Sequence, residues 1–227
     1  MSRSVYVAVV RHAPTTWNLE GRVQGRTDLA ISPEGRARLA RWRLPVDLGR
    51  LAATARLGWV TSPLRRAAET ARELGAVDPV VEPRLMERDY GEWTGRALAD
   101  LPGGEGGLDL GWDQRPAGGE SLADVLRRAR AWLDELAAGD GPHTWLAVTH
   151  LGVIRVLLAA TIGWDLRSPE PFRLLPERLH RLRRRGDGLL QLVTLNEPLT
   201  DPDLDPSALP ALEGPSPETA DPRRELG

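Results

Sequence analysis

Two short apolar runs each lead straight into a histidine. Val5-Tyr6-Val7-Ala8-Val9-Val10 is followed by Arg11-His12, and Trp145-Leu146-Ala147-Val148-Thr149 is followed by His150. Runs this short, apolar and rich in β-branched residues predict strands buried on both faces, as in a parallel sheet covered by helices. In open α/β sheets, reactive groups collect where strands end and helices begin. The two histidines are therefore expected to face each other across one crevice.

The rest of the chain is punctuated to match. Ser32 followed by Pro33 predicts a capped helix start, because a proline at the first helical position gives up only a hydrogen bond that would be unmade anyway. Ser62-Pro63 after Trp59-Val60-Thr61 predicts a second such start, with a helix to about residue 74 and Gly75 as its stop. Val80-Val81 predicts a short buried strand. Ser121 with Asp124 predicts a capped helix through Ala138, in which Leu122, Val125, Leu126, Ala129, Trp132, Leu133 and Leu136 keep a helical period. Residues 152–161 predict the helix after the second histidine. Residues 178–185 and 189–195, joined by Gly186-Asp187-Gly188, predict a closing antiparallel hairpin.

The expected architecture is α/β, a three-layer α/β/α sandwich with a mostly parallel sheet over residues 1–196. A small lid is expected at about residues 85–120, with a soft glycine centre at 103–107. Beyond Asn196 the chain turns to proline and acid, with Pro198, Pro202, Pro206, Pro210, Pro215, Pro217 and Pro222. Residues 197–227 are therefore expected to be a disordered tail.

Composition removes several chemistries. The chain has 227 residues, 41% hydrophobic and 27% charged, enough for one full core. It has no cysteine, which excludes disulfides, thiolate catalysis and thiolate metal sites. All 30 basic residues are arginine, so neither a Schiff base nor a lysine-dependent phosphate loop is available. Anions must be held by arginine, histidine or backbone N–H. The absence of a long apolar stretch or a signal-like N-terminus predicts no membrane association and a cytoplasmic location. A net charge of −2 predicts no general attraction to nucleic acid. The sequence leaves the oligomeric state open, a dimer among the options.

Five ordered segments carry the chemistry. They are Arg11-His12-Ala13, with Trp17-Asn18 and Gln24-Gly25 behind it; Ser62-Pro63-Leu64-Arg65-Arg66-Ala67; Leu85-Met86-Glu87-Arg88-Asp89-Tyr90-Gly91-Glu92-Trp93; Gly118-Gly119-Glu120-Ser121; and Val148-Thr149-His150-Leu151-Gly152. Singly each is weak, since an Arg-His pair after a strand is usually only a loop pair and Glu87 alone reads as a surface acid. In this order the set resembles the histidine phosphatase superfamily, which includes cofactor-dependent phosphoglycerate mutase, across residues 5 to about 160.

The resemblance implies a phosphatase acting on a small-molecule phosphate monoester, without metal or organic cofactor. His12 would attack phosphorus, with Arg11, Arg65 and His150 as the anion clamp, Glu87 as the general acid, and Asn18, Gln24, Gly25 and Leu151 as further phosphate or substrate contacts. The chemistry is coherent: neutral imidazole is nucleophilic near neutral pH, and planar guanidinium groups suit the charge spread over transferring phosphoryl oxygens. Two positions depart from the family pattern. Ala13 stands where glycine is usual, and Leu151 stands where glycine commonly follows the second histidine. Leu151 is expected to crowd the pocket or to require a different turn.

The lysine-free stretch between Glu87 and His150 is short, which favours a phosphatase over a mutase-type phosphotransferase. A non-catalytic phosphate- or partner-binding relative is the remaining alternative, and Leu151 favours it. His143 and His180 are read as structural residues. Arg178, Arg181, Arg183, Arg184 and Arg185 are read as a solvated strand edge, because no aromatic residues interleave as stacking platforms. Trp17 and Trp93 are expected to wall the crevice, and Trp93, Trp112 and Leu151 to offer an apolar contact beside the phosphate.

Overall fold

A computed structural model of the chain describes residues 2–101, 111–168 and 171–199. In chain order the strands are β1 (Val5–Arg11), β2 (Leu57–Thr61), β3 (Val80–Val81), β4 (Thr144–Thr149), β5 (Arg178–Arg184) and β6 (Leu190–Pro198). The α-helices among the described residues are α1 (Thr16–Leu19), α2 (Pro33–Leu39), α3 (Val46–Ala53), α4 (Arg65–Glu73), α5 (Leu122–Ala138) and α6 (Leu151–Ile162).

The strands form one sheet in the order β3-β2-β4-β1-β5-β6. β3, β2, β4 and β1 run parallel, and β5 and β6 are antiparallel additions on the far side of β1. Alternate residues of the central strands feed two apolar cores. Val7, Val9 and Ala147 pack with α5 and α6 on one face. Ala8, Val10, Leu146 and Val148 pack with α2, α3 and α4 on the other. The expected three-layer α/β arrangement with a mostly parallel sheet is thus the observed one, because β1 and β4 are apolar on both faces and need a helical layer on each.

The capping signals act as expected at α2 and α5. Ser32 Oγ accepts from the Gly35 N–H at 2.9 Å, and Ser121 and Asp124 satisfy each other's backbone donors. β3 differs from expectation: Val80 and Val81 are exposed, at 54% and 57%, since β3 is a sheet-edge strand. At the other edge β6 runs to Pro198 and the following Leu199 is buried, so part of the stretch expected as tail is strand. The glycine run at 103–107 and the chain from residue 200 lie outside the described residues. From residue 83 to residue 100 the chain makes three short 3-10 turns.

No described helix is long and apolar enough to cross a membrane.

Candidate active site

β1, β2 and β4 end at the same edge of the sheet, and their ends carry the residues that matter: Arg11 and His12 after β1, Ser62 after β2, and His150 after β4. The His12 ring is buried. Its Nδ1 lies 2.7 Å from its neighbour's carbonyl, Ala13 O, which draws the proton to Nδ1 and leaves Nε2 with the lone pair. The Arg66 Nε–H donates to that nitrogen at 3.2 Å. Burial holds His12 well below the usual imidazole range, and Arg11 and Arg66 push the same way. His12 is thus a neutral base with its lone pair facing the crevice.

His150 is fully buried, with its ring 5.2 Å from that of His12 and tilted by 55°. Its Nε2 lies 2.7 Å from Ser62 Oγ, whereas its Nδ1 has no hydrogen-bond partner among the described residues. Ser62 Oγ accepts from the Leu64 N–H at 3.4 Å and can donate its own proton to Nε2. That arrangement puts the remaining ring proton on Nδ1. Burial, followed by the charge of Arg66, keeps His150 well below the usual range.

The arginine assignment needs correction. The chain bends at residues 63–64, Leu64 is the extended N-cap of α4, and the helix starts two residues later than the Ser62-Pro63 signal predicts. Arg65 then donates its backbone N–H to Asp28 Oδ1 at 2.7 Å, while its exposed side chain pairs with Glu69 at 3.3 Å. One residue on, about 100° around the helix, Arg66 faces the strand ends instead. Arg66 is fully buried and donates to the carbonyls of Thr27 and Gly25, each at 2.7 Å. Burial lowers its guanidinium to about 10, opposed chiefly by the charge of Glu87. The guanidinium beside His12 is therefore that of Arg66, and Arg65 does not reach the crevice.

Glu87 is carried in by a segment tied to β4, where Thr149 Oγ1 donates to the Leu85 carbonyl at 2.8 Å. Its carboxylate accepts the Arg88 N–H on Oε1 at 2.8 Å and the Gly152 N–H on Oε2 at 3.2 Å. A Cβ at Gly152 would lie 2.3 Å from Glu87 Oε1, so any larger residue there must displace the carboxylate. The first turn of α6 thus meets the Glu87 carboxyl through a backbone donor, which fixes where the side chain points. Glu120, from the segment expected to lead into α5, braces the acid segment by accepting from Asp89 N–H, Arg26 and Arg128.

The crevice holds two adjoining cavities. The smaller, about 100 Å³, is lined by Arg11, His12, Asn18, Gln24, Gly25, Arg66, Glu87, Tyr90 and Leu151 among others. The larger, about 300 Å³, opens from the same Arg11, His12, Asn18 and Leu151 and extends past Trp42 and Ile154 to residues 173–178 and His180. Of the residues expected at the site, Arg11, His12, Asn18, Gln24, Gly25, Glu87 and Leu151 line these cavities, His150 packs against His12 without lining either, and Arg65 stays outside. Asn18 turns its Oδ1 back to cap Thr15, and the buried Gln24 Oε1 has no partner among the described residues. Gly25 sits at φ +50°, which lets its carbonyl turn to Arg66. Leu151 is half-buried on the wall that the cavities share.

Trp93 packs with Val23 and Tyr90, Trp17 stacks against Arg22, and Trp112 packs on the main core, so none of the three lines either cavity. Tyr90 and Trp42 are the aromatic walls instead. Among the described residues no cluster of three or more acids and histidines is arranged to hold a metal ion.

The model for the histidine phosphatase superfamily (branch 1) matches residues 7–198. A bifunctional protein of Mycobacterium tuberculosis is 35% identical over 175 residues, which cover 73% of this chain and 46% of that protein. The chain thus spans about half the length of that relative. Glucosyl-3-phosphoglycerate phosphatase of M. tuberculosis is 32% identical, covering 70% of this chain and 76% of its own. Phosphoserine phosphatase 1 of Hydrogenobacter thermophilus is 29% identical, covering 71% and 78%. The native structure of a mycobacterial glucosyl-3-phosphoglycerate phosphatase superposes with a TM-score of 0.69 at 28% identity, covering 86% of this chain and all of that one.

Proposed function

This chain belongs to the histidine phosphatase superfamily, branch 1, and from that premise we propose that it hydrolyses a small-molecule phosphate monoester through a phosphohistidine on His12. The observation that carries the reading is the orientation of His12: Nδ1 is tied to Ala13 O, and the Nε2 lone pair faces a cavity of about 100 Å³ ringed by Arg11, Arg66 and Glu87.

In the first step His12 Nε2 attacks phosphorus as the bond to the ester oxygen breaks, and the departing alkoxide takes a proton from Glu87. In the second step water attacks the phosphohistidine, Glu87 takes the water's proton, and the P–N bond breaks to return neutral His12 and inorganic phosphate. Arg11, Arg66 and the Nδ1–H of His150 hold the equatorial oxygens through both steps. They are rigid donors in a largely water-excluded site, where such stabilisation is worth most. The Arg66 contact to Nε2 is the one that must shift toward the phosphoryl oxygens when substrate enters.

Two named relatives support a phosphatase: one is a glucosyl-3-phosphoglycerate phosphatase and one a phosphoserine phosphatase. The deciding assay is p-nitrophenyl phosphate hydrolysis in EDTA beside His12→Ala. Turnover that survives the chelator and is abolished by the substitution is the expected result. Turnover that persists in His12→Ala removes the phosphohistidine route.

A further inference from the structure

Three consecutive residues at the nucleophile are held by three different elements. The His12 N–H donates to Thr149 O of β4 at 3.0 Å, the Ala13 N–H donates to Thr70 Oγ1 of α4 at 2.9 Å, and Pro14 O accepts from the Ser32 N–H at the start of α2 at 2.9 Å. Proline gives the Ala13-Pro14 peptide no N–H of its own, so the Ala13 carbonyl points where the anchors on either side turn it. That carbonyl is the one that meets His12 Nδ1.

The middle anchor is a side chain. Thr70 is fully buried on α4, one turn beyond Arg66, and its Oγ1–H donates to the Arg66 carbonyl at 2.7 Å. With the proton so committed, a lone pair of the same oxygen is left to accept from Ala13. A single hydroxyl therefore joins the loop whose carbonyl meets Nδ1 of the ring to the helix turn whose guanidinium meets Nε2.

A helical threonine that bonds back to the carbonyl four residues before it is commonly a packing residue and nothing more. Thr70 differs because its oxygen also accepts from a residue 57 positions away. Ala13 is fully buried, so its N–H, once deprived of that acceptor, must stay unmet at a cost in free energy or turn to find another. Turning the His12-Ala13 peptide carries the ring with it. Thr70 itself lines neither cavity.

We propose that Thr70 is a positioning residue for the nucleophile: it touches no substrate, and its hydroxyl fixes the His12 ring in the tautomer and orientation that present Nε2 to phosphorus. This rests on the phosphatase reading above and adds to it a residue that acts only through His12.

The test is Thr70→Val, which keeps the shape and removes the hydroxyl, beside Thr70→Ser, which keeps the hydroxyl. On p-nitrophenyl phosphate Thr70→Val should lose about 10- to 100-fold in kcat, the scale on which misplacing a reacting group acts, with KM changed by less than about threefold. Thr70→Ser should return most of the loss. Nitrogen NMR of the ring, assigned by the signals missing in His12→Ala, should show a protonated Nδ1 and an unprotonated Nε2 in wild type and Thr70→Ser, and a mixture of the two tautomers in Thr70→Val. A purely structural role would lower the thermal midpoint of Thr70→Val and leave both kcat per folded molecule and the ring signals unchanged. That outcome, or a Thr70→Ser no better than Thr70→Val, overturns the proposal. Should Thr70→Val not fold, Thr70→Ala is read by the same two measurements. If wild type hydrolyses no p-nitrophenyl phosphate, the catalytic reading fails instead, and the ring signals alone then judge Thr70: an unchanged tautomer in Thr70→Val removes its role.

Discussion

The backbone N–H of Gly152 donates to Glu87 Oε2 at 3.2 Å, and a Cβ on the same residue would lie 2.3 Å from Glu87 Oε1. The first turn of α6 and the acid are therefore fitted to each other across a gap in which a Cβ would displace the carboxylate. Gly152→Ala should favour the helix by about 1 kcal/mol in intrinsic propensity while pushing the carboxylate off its donor. The expected result is a kcat on glycerol 3-phosphate lowered about tenfold or more, with little loss of thermal stability. Unchanged kcat would show that Glu87 tolerates displacement.

The adjacent arginines make a sharper contrast. Arg66 is fully buried beside His12, and Arg65 is an exposed partner of Glu69. Arg66→Ala should cost about 10²–10³ in kcat/KM, as loss of one preorganised donor does. Arg65→Ala should stay within about threefold, since exposed ion pairs contribute about 1 kcal/mol or less. Steady-state kinetics on p-nitrophenyl phosphate decides between them, and the reverse ranking would restore Arg65.

Glu87→Gln keeps the shape of the side chain and removes its transferable proton. Turnover of glycerol 3-phosphate, with its poor leaving group, should fall at least about a hundredfold. Turnover of p-nitrophenyl phosphate, whose leaving group needs little help, should fall far less. Equal losses on both would take the acid role from Glu87.

His12, His150 and His180 are all held below the ordinary imidazole value of 6.5, with His180 at about 4. The unfolded chain binds protons at these positions near pH 6.5 and the folded chain does not. Stability is therefore fully present above pH 6.5 and is lost as pH falls below it, for His180 over the range down to about 4. Each imidazole contributes up to about 1.4 kcal/mol per pH unit in that window. Denaturation midpoints should drop over this range, with a shallower slope in His180→Phe. Nitrogen NMR shifts should show His12 and His150 neutral at pH 6; a protonated signal from either would contradict the burial argument.

The sheet was legible because it is written in short-range terms. β1 and β4 are apolar on both faces and can exist only between two helical layers, and Ser32-Pro33 and Ser121 with Asp124 cap α2 and α5 where they stand. Most of the crevice was legible as ordered segments. What escaped depends on rotation and tertiary contact. Arg65 and Arg66 are neighbours in sequence, and only the start of α4, fixed by Asp28 from another loop, decides which one turns inward. His180 sits in an arginine-rich strand that reads as a solvated edge. The one hint was a histidine between Leu179 and Leu182 in a strand that β6 covers on its outer side. Its placement beside a cavity requires the Asn196 N–H, which donates to its Nδ1 at 3.1 Å, and the register slip between β5 and β6, which no local pattern encodes. Trp42, distant from every motif, reaches the cavity only because α2 packs against the sheet.

The smaller cavity is lined from β1, α4, α6 and the segments that follow β1 and β3, whereas the clamp of Asn196, whose side chain holds the backbone of Arg173 and Leu175, belongs to the closing hairpin and the segment before it, none of which lines that cavity. The two cavities meet at Arg11, His12, Asn18 and Leu151, and their remaining walls come from separate stretches of the polypeptide. Exchange or lengthening of residues 171–180 should therefore reshape the larger cavity while the walls of the smaller one stay in register, provided Asn196 still anchors the segment.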